Sequence, residues 1–370
     1  MYKIFFLLIN VLLFFSSCTR LYIGNYKLND FNIDNQPDDL GPVVQLWEDG
    51  LRTEEKDNQL EWWYFDGKLS DGSIIVCYFW KVHFISDQYF IGLNYTGPDK
   101  KTIFKIKFFK DQNVSFSKDS CNVRMGSNSI VGNLKKYKII IDPKDFDGIG
   151  FDVELRSDRL PYRPQDGIIK AESSYFAWLS AVPKGNFKGS LTLENKMTQV
   201  QGSGYHDHNW GNTPLQKLFK SWMWFRGEAG PYTIIAAELN ALDGRGGYNI
   251  PILYISDSSG VVVNRFGEDG LFTKKSALIR DLYRKQNEPL FSNLELITED
   301  GYQIKIEGKD VIDNTLLFER IRNPILPISS IMNVLNIDPH YTRFNSRLTI
   351  KDKTNSIFEG FGILEIMDLK

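Results

Sequence analysis

The chain has 370 residues, of which 44 are Lys or Arg and 46 are Asp or Glu, so its net charge is −2. A balance this close to zero, without a dense basic run, argues against nucleic acid as a partner. Phe, Tyr and Trp make up 14% of the chain, a composition suited to β-strands and apolar pockets.

The N-terminus has the features of an export signal. A lysine at position 3 precedes the apolar run "IFFLLINVLLFF", which ends at the small residues of "SSC". The run is too short to span a bilayer as a mature helix and predicts a secretory signal. Because two serines directly precede Cys18, residues 1–18 are typical of a bacterial lipoprotein signal, whose cysteine is lipidated. We expect an exported, membrane-anchored protein on the periplasmic side or cell surface; ordinary cleavage near Ser17 is the alternative.

Replacing Cys18 with serine tests the lipid anchor. The variant should move from the detergent phase to the aqueous phase in a partitioning assay, because no thiol remains to carry the lipid. The same change at Cys77 is the control, since that cysteine lies far beyond the signal. Unchanged partitioning of the Cys18 variant would leave only a simple secretory signal.

Beyond the signal, a polar leader precedes a series of short strands. Residues 19–57 are rich in Asn, Asp, Pro and Gly, as in "NDFNIDNQPDDLGP", and predict a tether. From Leu60 onward, aromatic and β-branched runs alternate with turn residues, which predicts an all-β, antiparallel barrel or sandwich. Helix is scarce: the candidates are Lys274 to Gln286, with Leu278 and Leu282 one turn apart, and Ser329 to Leu335.

Two cysteines, Cys77 and Cys121, remain once Cys18 is set aside. An oxidising compartment permits a disulfide between them. Two buried apolar thiols are equally consistent with the sequence.

A comparison of the chain with itself indicates a duplication. The motif "WWYFDG" at Trp62 aligns with "WMWFRG" at Trp222, and the same offset of 160 residues (222 minus 62) places "SIIV" at Ser73 on "TIIA" at Thr233. A repeat this long indicates a domain duplication and not a solenoid. We therefore predict two similar β-rich domains, 58–212 and 213–370.

The motif "LEWWYFDG" begins the first repeat. In a strand, Glu61, Trp63 and Phe65 point to one face, whereas Trp62, Tyr64 and Asp66 point to the other. If one of these faces lines a barrel, a carboxylate and aromatic rings surround its lumen. Ordinary barrel packing of the aromatic residues is the alternative.

The motif "GYHDHNWG" ends the first repeat and contains two of the four histidines in the chain. In an extended segment, His206 and His208 point one way while Tyr205, Asp207 and Asn209 point the other. The His-x-His spacing suits a metal such as zinc, but no third protein ligand is evident, and we predict no metal or other cofactor. A turn capped by Asp207 is the structural alternative. An Asp207 carboxyl desolvated by aromatic neighbours would instead serve as a proton donor.

These motifs together resemble the hydroxyneurosporene synthase family, the carotenoid 1,2-hydratases, together with AttH-like proteins. Tocopherol cyclases and fungal decalin-forming Diels-Alderases are more distant relatives of this group. The C-terminal "FEGFGILEIMDL", Phe358 to Leu369, is similar to the closing strand of the family. The resemblance covers the chain from about Leu40. It implies two tandem lipocalin-like antiparallel barrels with an apolar ligand site near their junction.

The resemblance and the motifs together suggest acid-catalysed hydration or cyclisation of a double bond in an isoprenoid or lipid. We expect Asp207 to be the acid, His206 or His208 to relay its proton, and Glu61 to hold water. The aromatic residues expected to contact the substrate are Trp62, Trp63, Tyr64, Tyr205, Trp210, Trp222 and Trp224.

Two other functions remain open on the sequence. Export separates the protein from carotenoids made on the cytoplasmic side, which favours a different lipid or a lipoprotein that binds and carries an apolar ligand without catalysis. A metal-dependent hydrolase built on His206 and His208 is the third hypothesis. The sequence indicates neither the ligand nor the oligomeric state.

Overall fold

The computed structural model describes residues 43–53, 59–83, 87–164, 167–171, 173–267, 270–279, 290–316 and 339–369. The predicted signal, most of the tether and the candidate helix at 329–335 lie outside these ranges. Within them, no helix is both long enough and apolar enough to cross a membrane. The described residues form two compact units: the first takes those from Val43 to Pro214 with Ser256–Val262, and the second takes Leu215–Ile255 and those from Val263 onward.

Strands dominate the described residues, and the only helical segments among them are short 3₁₀ turns. These turns are Leu46–Asp49, Asp111–Asn113, Pro143–Asp145, Leu215–Lys217 and Asp243–Arg245. The strands are β1 Gln59–Leu69, β2 Ile74–His83, β3 Asp87–Thr96, β4 Thr102–Phe109, β5 Val114–Phe116, β6 Asn122–Met125, β7 Asn128–Gly132, β8 Lys136–Ile141, β9 Gly150–Ser157, β10 Ile168–Ala171, β11 Ser174–Leu193, β12 Lys196–Gly211, β13 Phe219–Ala229, β14 Tyr232–Ala241, β15 Asn249–Asp257, β16 Gly260–Phe266, β17 Leu271–Ile279, β18 Leu290–Thr298, β19 Gln303–Leu316, β20 His340–Lys351 and β21 Ile357–Asp368.

The first unit is a nearly closed antiparallel barrel. Its strands are ordered β4-β3-β2-β1-β12-β11-β9-β8-β7-β6-β5, with β10 paired to β11. The two edges of the sheet approach each other, since the ring of Tyr89 on β3 lies 5.7 Å from that of Phe116 on β5. Alternation of apolar and polar residues along each strand gives the sheet one face for the core and one for the outside.

The central pairing in this barrel joins the first strand to the last. Strand β1 pairs with β12 so that Glu61 lies opposite Trp210, Trp63 opposite His208, and Tyr64 opposite Asp207. Residues directly opposite each other in an antiparallel pair share a face. The two motifs identified in the sequence are therefore adjacent strands, and their side chains divide between the inside and the outside of the barrel.

The barrel interior is an aromatic and aliphatic core. Trp63, Phe65 and Phe79 have no exposed surface. Cys77 and Cys121 are both buried there as free thiols. The sequence was consistent with either a disulfide or two buried thiols, and in the structure the two cysteines are buried thiols.

The second unit is a half-barrel whose first strand is placed as in the first unit. Its sheet is ordered β16-β15-β14-β13-β21-β20-β19-β18-β17. Strand β13 lies between the following strand and the last one, as β1 does in the first unit. Trp62 and Trp222 thus occupy equivalent strands, and Phe65 and Phe225, also 160 positions apart, are both fully buried. The all-β prediction of two barrel-like units is confirmed.

The predicted helix from Lys274 to Gln286 is wrong over its described part. Residues 274–279 belong to β17, which pairs with β18 so that Leu278 lies opposite Phe291. Leu278 is 60% exposed. The spacing of Leu278 and Leu282, which suggested a buried helical face, therefore does not mark such a face. Pairing with a neighbouring strand decides the structure here, and a local pattern does not contain that information.

The second unit contains a buried histidine that should make stability depend on pH. Burial lowers the pKa of His340 to about 4, from 6.5. As pH falls from about 6.5 to about 4, the unfolded state takes up a proton that the folded state does not, so stability is lost across that window. The His340→Gln variant should therefore show a shallower decline in unfolding midpoint than wild type over these pH values. Equal slopes in thermal unfolding scans would contradict the assignment.

Candidate functional site

The inner face of the β1–β12 pair holds the segment 43–53 against the barrel. Glu61 is fully buried, and its Oε1 accepts hydrogen bonds from the Arg52 amide at 2.7 Å and from His208 Nε2 at 2.8 Å. Its Oε2 accepts from the Thr53 amide at 2.9 Å and the Thr53 hydroxyl at 2.6 Å. A buried carboxylate is stable only when its oxygens are paired in this way. Glu61 therefore anchors the segment that precedes β1.

Both histidines also bind this segment. His208 Nδ1 lies 3.0 Å from the Glu48 carbonyl, and His206 Nε2 lies 3.3 Å from Asp49 Oδ2. The other nitrogen of His206, Nδ1, is 2.7 Å from the Tyr64 carbonyl. Although burial alone lowers the pKa of His206, the adjacent Asp49 carboxylate raises it, and the net pKa lies above its ordinary value. The histidine pair thus has a structural task inside the barrel.

Asp207 lies on the opposite face of the same strand. Its Oδ2 accepts hydrogen bonds from Trp178 Nε1 at 3.2 Å and from the Tyr205 hydroxyl at 2.9 Å. Its Oδ1 accepts from Asn209 Nδ2 at 2.7 Å. Burial raises the pKa of Asp207 to about 6, against the lowering effect of these donors. The carboxyl group can hold a proton near neutral pH, as a general acid requires.

A second carboxylate and a second tyrosine lie beside Asp207 on the same face. The Tyr64 hydroxyl is 3.1 Å from Asp66 Oδ2. Because Tyr64 lies opposite Asp207 and Asp66 opposite Tyr205, the two carboxylates are diagonal neighbours on adjacent strands, a separation of roughly 7 Å. Burial and then Asp207 hold the pKa of Tyr205 well above its ordinary value, so its hydroxyl remains a donor. We call Tyr64, Asp66, Tyr205 and Asp207 the carboxylate cluster.

An aromatic strip crosses the same face of the barrel. Its neighbouring rings lie 5.3, 5.8, 4.4 and 5.8 Å apart in the order Phe108, Phe90, Trp80, Trp62 and Phe176. These residues come from strands β4, β3, β2, β1 and β11, so the strip runs across the sheet from its edge strand β4 and passes over β12. It reaches the carboxylate cluster through Trp62, which lies opposite Asn209. The strip offers an apolar chain a continuous contact surface that leads to Asp207.

The predicted site residues fall into three places. Trp62, Tyr64 and Tyr205 share the face of Asp207, whereas Trp63 and Trp210 lie inside the barrel, their rings 4.6 and 4.7 Å from that of His208. Trp222 and Trp224 belong to the second unit, on strand β13. Glu61, which was expected to hold water for the reaction at Asp207, does not share its face, because the strand alternation puts the two residues on opposite faces. Both ring nitrogens of His206 and His208 likewise lie against groups other than Asp207.

Three contributors were not among the predicted site residues. Trp178 reaches Asp207 from β11, and nothing in its local sequence distinguishes it from core aromatic residues. Asp49, in the polar leader, lies 157 positions before His206 along the chain. Asp66 carried a signal, since it alternates onto the face of Trp62 and Tyr64 and aligns with Asp207 once β1 and β12 are paired.

One group of described residues has the composition of a metal site. Ligand atoms of Asp49, Cys121 and His206 all lie within 4.8 Å of one another, and all three residues are buried. The cluster lies in the barrel interior and not on the face of Asp207.

The family model described as Diels-Alderase-like matches residues 56–254, more than half of the chain. A relative named hydroxyneurosporene dehydrogenase, from Chlorobaculum tepidum, is 24% identical over 207 residues. That alignment covers 45% of this chain and 53% of the relative, so the chain spans about half of the relative's length.

Solved structures share the fold over a greater length. A candidate AttH protein from Nitrosomonas europaea superposes with a TM-score of 0.61 at 13% identity, covering 89% of this chain and 98% of the other. Kievitone hydratase from Nectria haematococca gives a TM-score of 0.55 at 13% identity, covering 91% of this chain and 96% of the other. Identities this low establish a common fold and no more.

Proposed function

The chain belongs to the Diels-Alderase-like family, and from that premise we propose that it is a lyase-type enzyme acting on a double bond of an apolar, isoprenoid-like or lipid substrate. The observation that carries the proposal is the position of Asp207. It is a buried carboxyl group with a raised pKa on β12, between the strands that carry Trp62 and Phe176 of the aromatic strip. An apolar chain on that strip would present a double bond to a proton donor.

The first step is proton transfer to carbon. The Asp207 carboxyl group gives its proton to one carbon of the double bond, and the electron pair of the π bond forms the new C–H bond. The adjacent, more substituted carbon becomes cationic. The faces of Trp62 and Tyr64, on the same side of the sheet as Asp207, would stabilise that cation by roughly 0.5–2 kcal/mol each.

The second step decides between two outcomes. If water attacks the cation, a C–O bond forms, and Asp66 is the second carboxylate placed to accept the proton that the oxygen then loses. If another double bond of the substrate attacks, a ring closes and a proton leaves carbon. In this proposal Glu61, His206 and His208 are positioning residues that hold the barrel face in place and do not touch the substrate.

We further propose that the enzyme is exported and anchored through Cys18, as the lipoprotein signal predicts. The named relatives include a hydroxyneurosporene protein and a hydratase, which supports chemistry on double bonds. Export indicates that the substrate is a lipid available outside the cytoplasm.

A carrier without catalysis is the second candidate. The separation of Glu61 from Asp207 favours it, because the carboxylate first expected to hold water lies on the other face. The aromatic strip alone would suffice to bind an apolar ligand.

Isotope labelling distinguishes these functions. The purified protein is incubated with a panel of polyprenyl lipids and with its own co-purified lipids, in heavy-oxygen water and separately in deuterium oxide, and the lipids are analysed by mass spectrometry. A hydratase gives a product that contains the heavy oxygen. A cyclase gives an isomer that gains deuterium but no oxygen. Bound lipid without any product would support the carrier and contradict the enzyme.

A further inference from the structure

We propose that Asp49, Cys121 and His206 form a binding site for a zinc-like divalent cation inside the first barrel. The site would fasten the segment 43–53 to the barrel wall. It lies on the other side of the sheet from Asp207 and does not depend on the proposed reaction.

The spacing of the ligand atoms suits a tetrahedral ion. His206 Nε2 and Asp49 Oδ2 are 3.3 Å apart, longer than the 2.7–2.9 Å that is typical of a charge-assisted hydrogen bond. Two ligand atoms bound at about 2.05 Å to a tetrahedral zinc ion lie about 3.3 Å apart. With Cys121 Sγ, all ligand atoms fall within 4.8 Å of one another. One ion can therefore reach all three with small side-chain movements.

The second ring nitrogen of His206 is already held as in known metal sites. Its Nδ1 lies 2.7 Å from the Tyr64 carbonyl, which can only accept a hydrogen bond. Nδ1 therefore carries a proton, and Nε2 points towards Asp49, so that a cation bound between them would take the place of a proton on Nε2. Histidine ligands of metals commonly donate their other N–H to a backbone carbonyl in this way.

Asp49 has a coordinating oxygen to spare. Its Oδ2 accepts a hydrogen bond from the Tyr137 hydroxyl, whereas its Oδ1 is buried, accepts no hydrogen bond from an N–H or O–H group, and lies 3.9 Å from His208 Nδ1. An unpaired oxygen on a side chain that is 1% exposed is costly. A cation bound to Asp49 would remove that cost.

Charge and ligand type favour a borderline divalent metal. A carboxylate, a thiolate and a neutral imidazole give a net charge of −2, which a divalent ion cancels inside an apolar core. The Cys121 thiol lies 3.7 Å from the Ile130 carbonyl and also interacts with the Asp49 carboxylate. Mixed sulfur, nitrogen and oxygen ligands suit zinc or cobalt better than magnesium or calcium. Binding would release the thiol proton of Cys121, together with the Nε2 proton of His206 where that ring is protonated, and form metal–sulfur and metal–nitrogen bonds without any change of oxidation state.

Cobalt provides the test, because a cobalt–thiolate bond has a charge-transfer absorption in the near ultraviolet. The full chain is expressed in medium supplemented with cobalt and, separately, with zinc, and the folded protein is isolated. We expect about one ion per chain, and in the cobalt form the thiolate band. Cys121→Ser should lose the band and most of the metal. Cys77→Ser is the matched control, since Cys77 is the other buried free thiol of this barrel, and it should retain both.

The proposal fails if the folded wild-type protein carries much less than one ion per chain under both conditions. It also fails if Cys121→Ser keeps the thiolate band, or if Cys77→Ser loses it. Asp49→Asn provides a second variant if Cys121→Ser does not fold. It should lower metal content while leaving the fold intact by circular dichroism, and unchanged metal content would exclude Asp49 as a ligand.

Discussion

Replacing Asp207 with asparagine is expected to lower turnover by about two to four orders of magnitude, the usual contribution of a positioned general acid. The amide has the shape of the carboxyl group but no proton to give to carbon. Trp178 and Tyr205 can still donate to its oxygen, and Asn209 can rotate its own amide to accept from the new NH₂ group. Ligand binding and fold should therefore survive. Turnover by mass spectrometry and binding by quenching of tryptophan fluorescence measure the two effects separately.

The control for this variant is Asp99→Asn, which changes an exposed aspartate in the loop between β3 and β4. It should have wild-type turnover. If Asp207→Asn unfolds the protein, the carboxyl group is a structural cap. If it folds and retains full turnover, the acid lies elsewhere and the proposed mechanism is wrong.

Truncation of Glu61 to alanine should destabilise the first unit by about 3–5 kcal/mol, as is typical when one partner is removed from a buried ionic group. Four donors lose their acceptor: the amides of Arg52 and Thr53, the Thr53 hydroxyl and His208 Nε2. At roughly 2–4 °C per kcal/mol for a domain of this size, the midpoint of thermal unfolding should fall by about 10 °C. Amide hydrogen exchange in segment 43–53 should rise at the same time.

Glu154→Ala is the matched control, because Glu154 pairs with Lys136 and Arg156 at the barrel surface. It should leave the midpoint and the exchange of segment 43–53 unchanged. A Glu61→Ala protein with a normal midpoint but without turnover would instead give Glu61 the catalytic role that the sequence first suggested.

The alternation of side chains between the two faces of each strand could be predicted from the sequence. Which residues of β1 lie beside Asp207 could not. The period of two along a strand places His206 and His208 opposite Asp207 with no knowledge of the fold. It does not say which face of β1 lies on the same side as Asp207, because that depends on the register between β1 and β12. A shift of one residue would have put Glu61 beside Asp207.

The hydrogen-bond partners of His206 and His208 could not be predicted from the sequence for a different reason. Asp49 and Glu48 lie in a polar leader that resembles a flexible tether, and their contacts with β12 cross about 160 positions of the chain. The duplication was accessible because it depends only on comparing the chain with itself. The strand at 271–279 was not, because its partner strand determines its structure.

The pairing of β1 with β12 also has a consequence for biogenesis. Leu60 pairs with Gly211, which is synthesised 151 positions later (211 minus 60). Until then, the edge of β1 that will pair with β12 stays uncovered. At a synthesis rate of about 5–20 residues per second, the wait lasts roughly 8–30 seconds. During that interval "EWWYF" is an apolar strand with an open edge, the kind of segment that associates with other chains. We expect this protein to need a holding chaperone while it is being made, and a circular permutant that joins β12 directly to β1 to need it less.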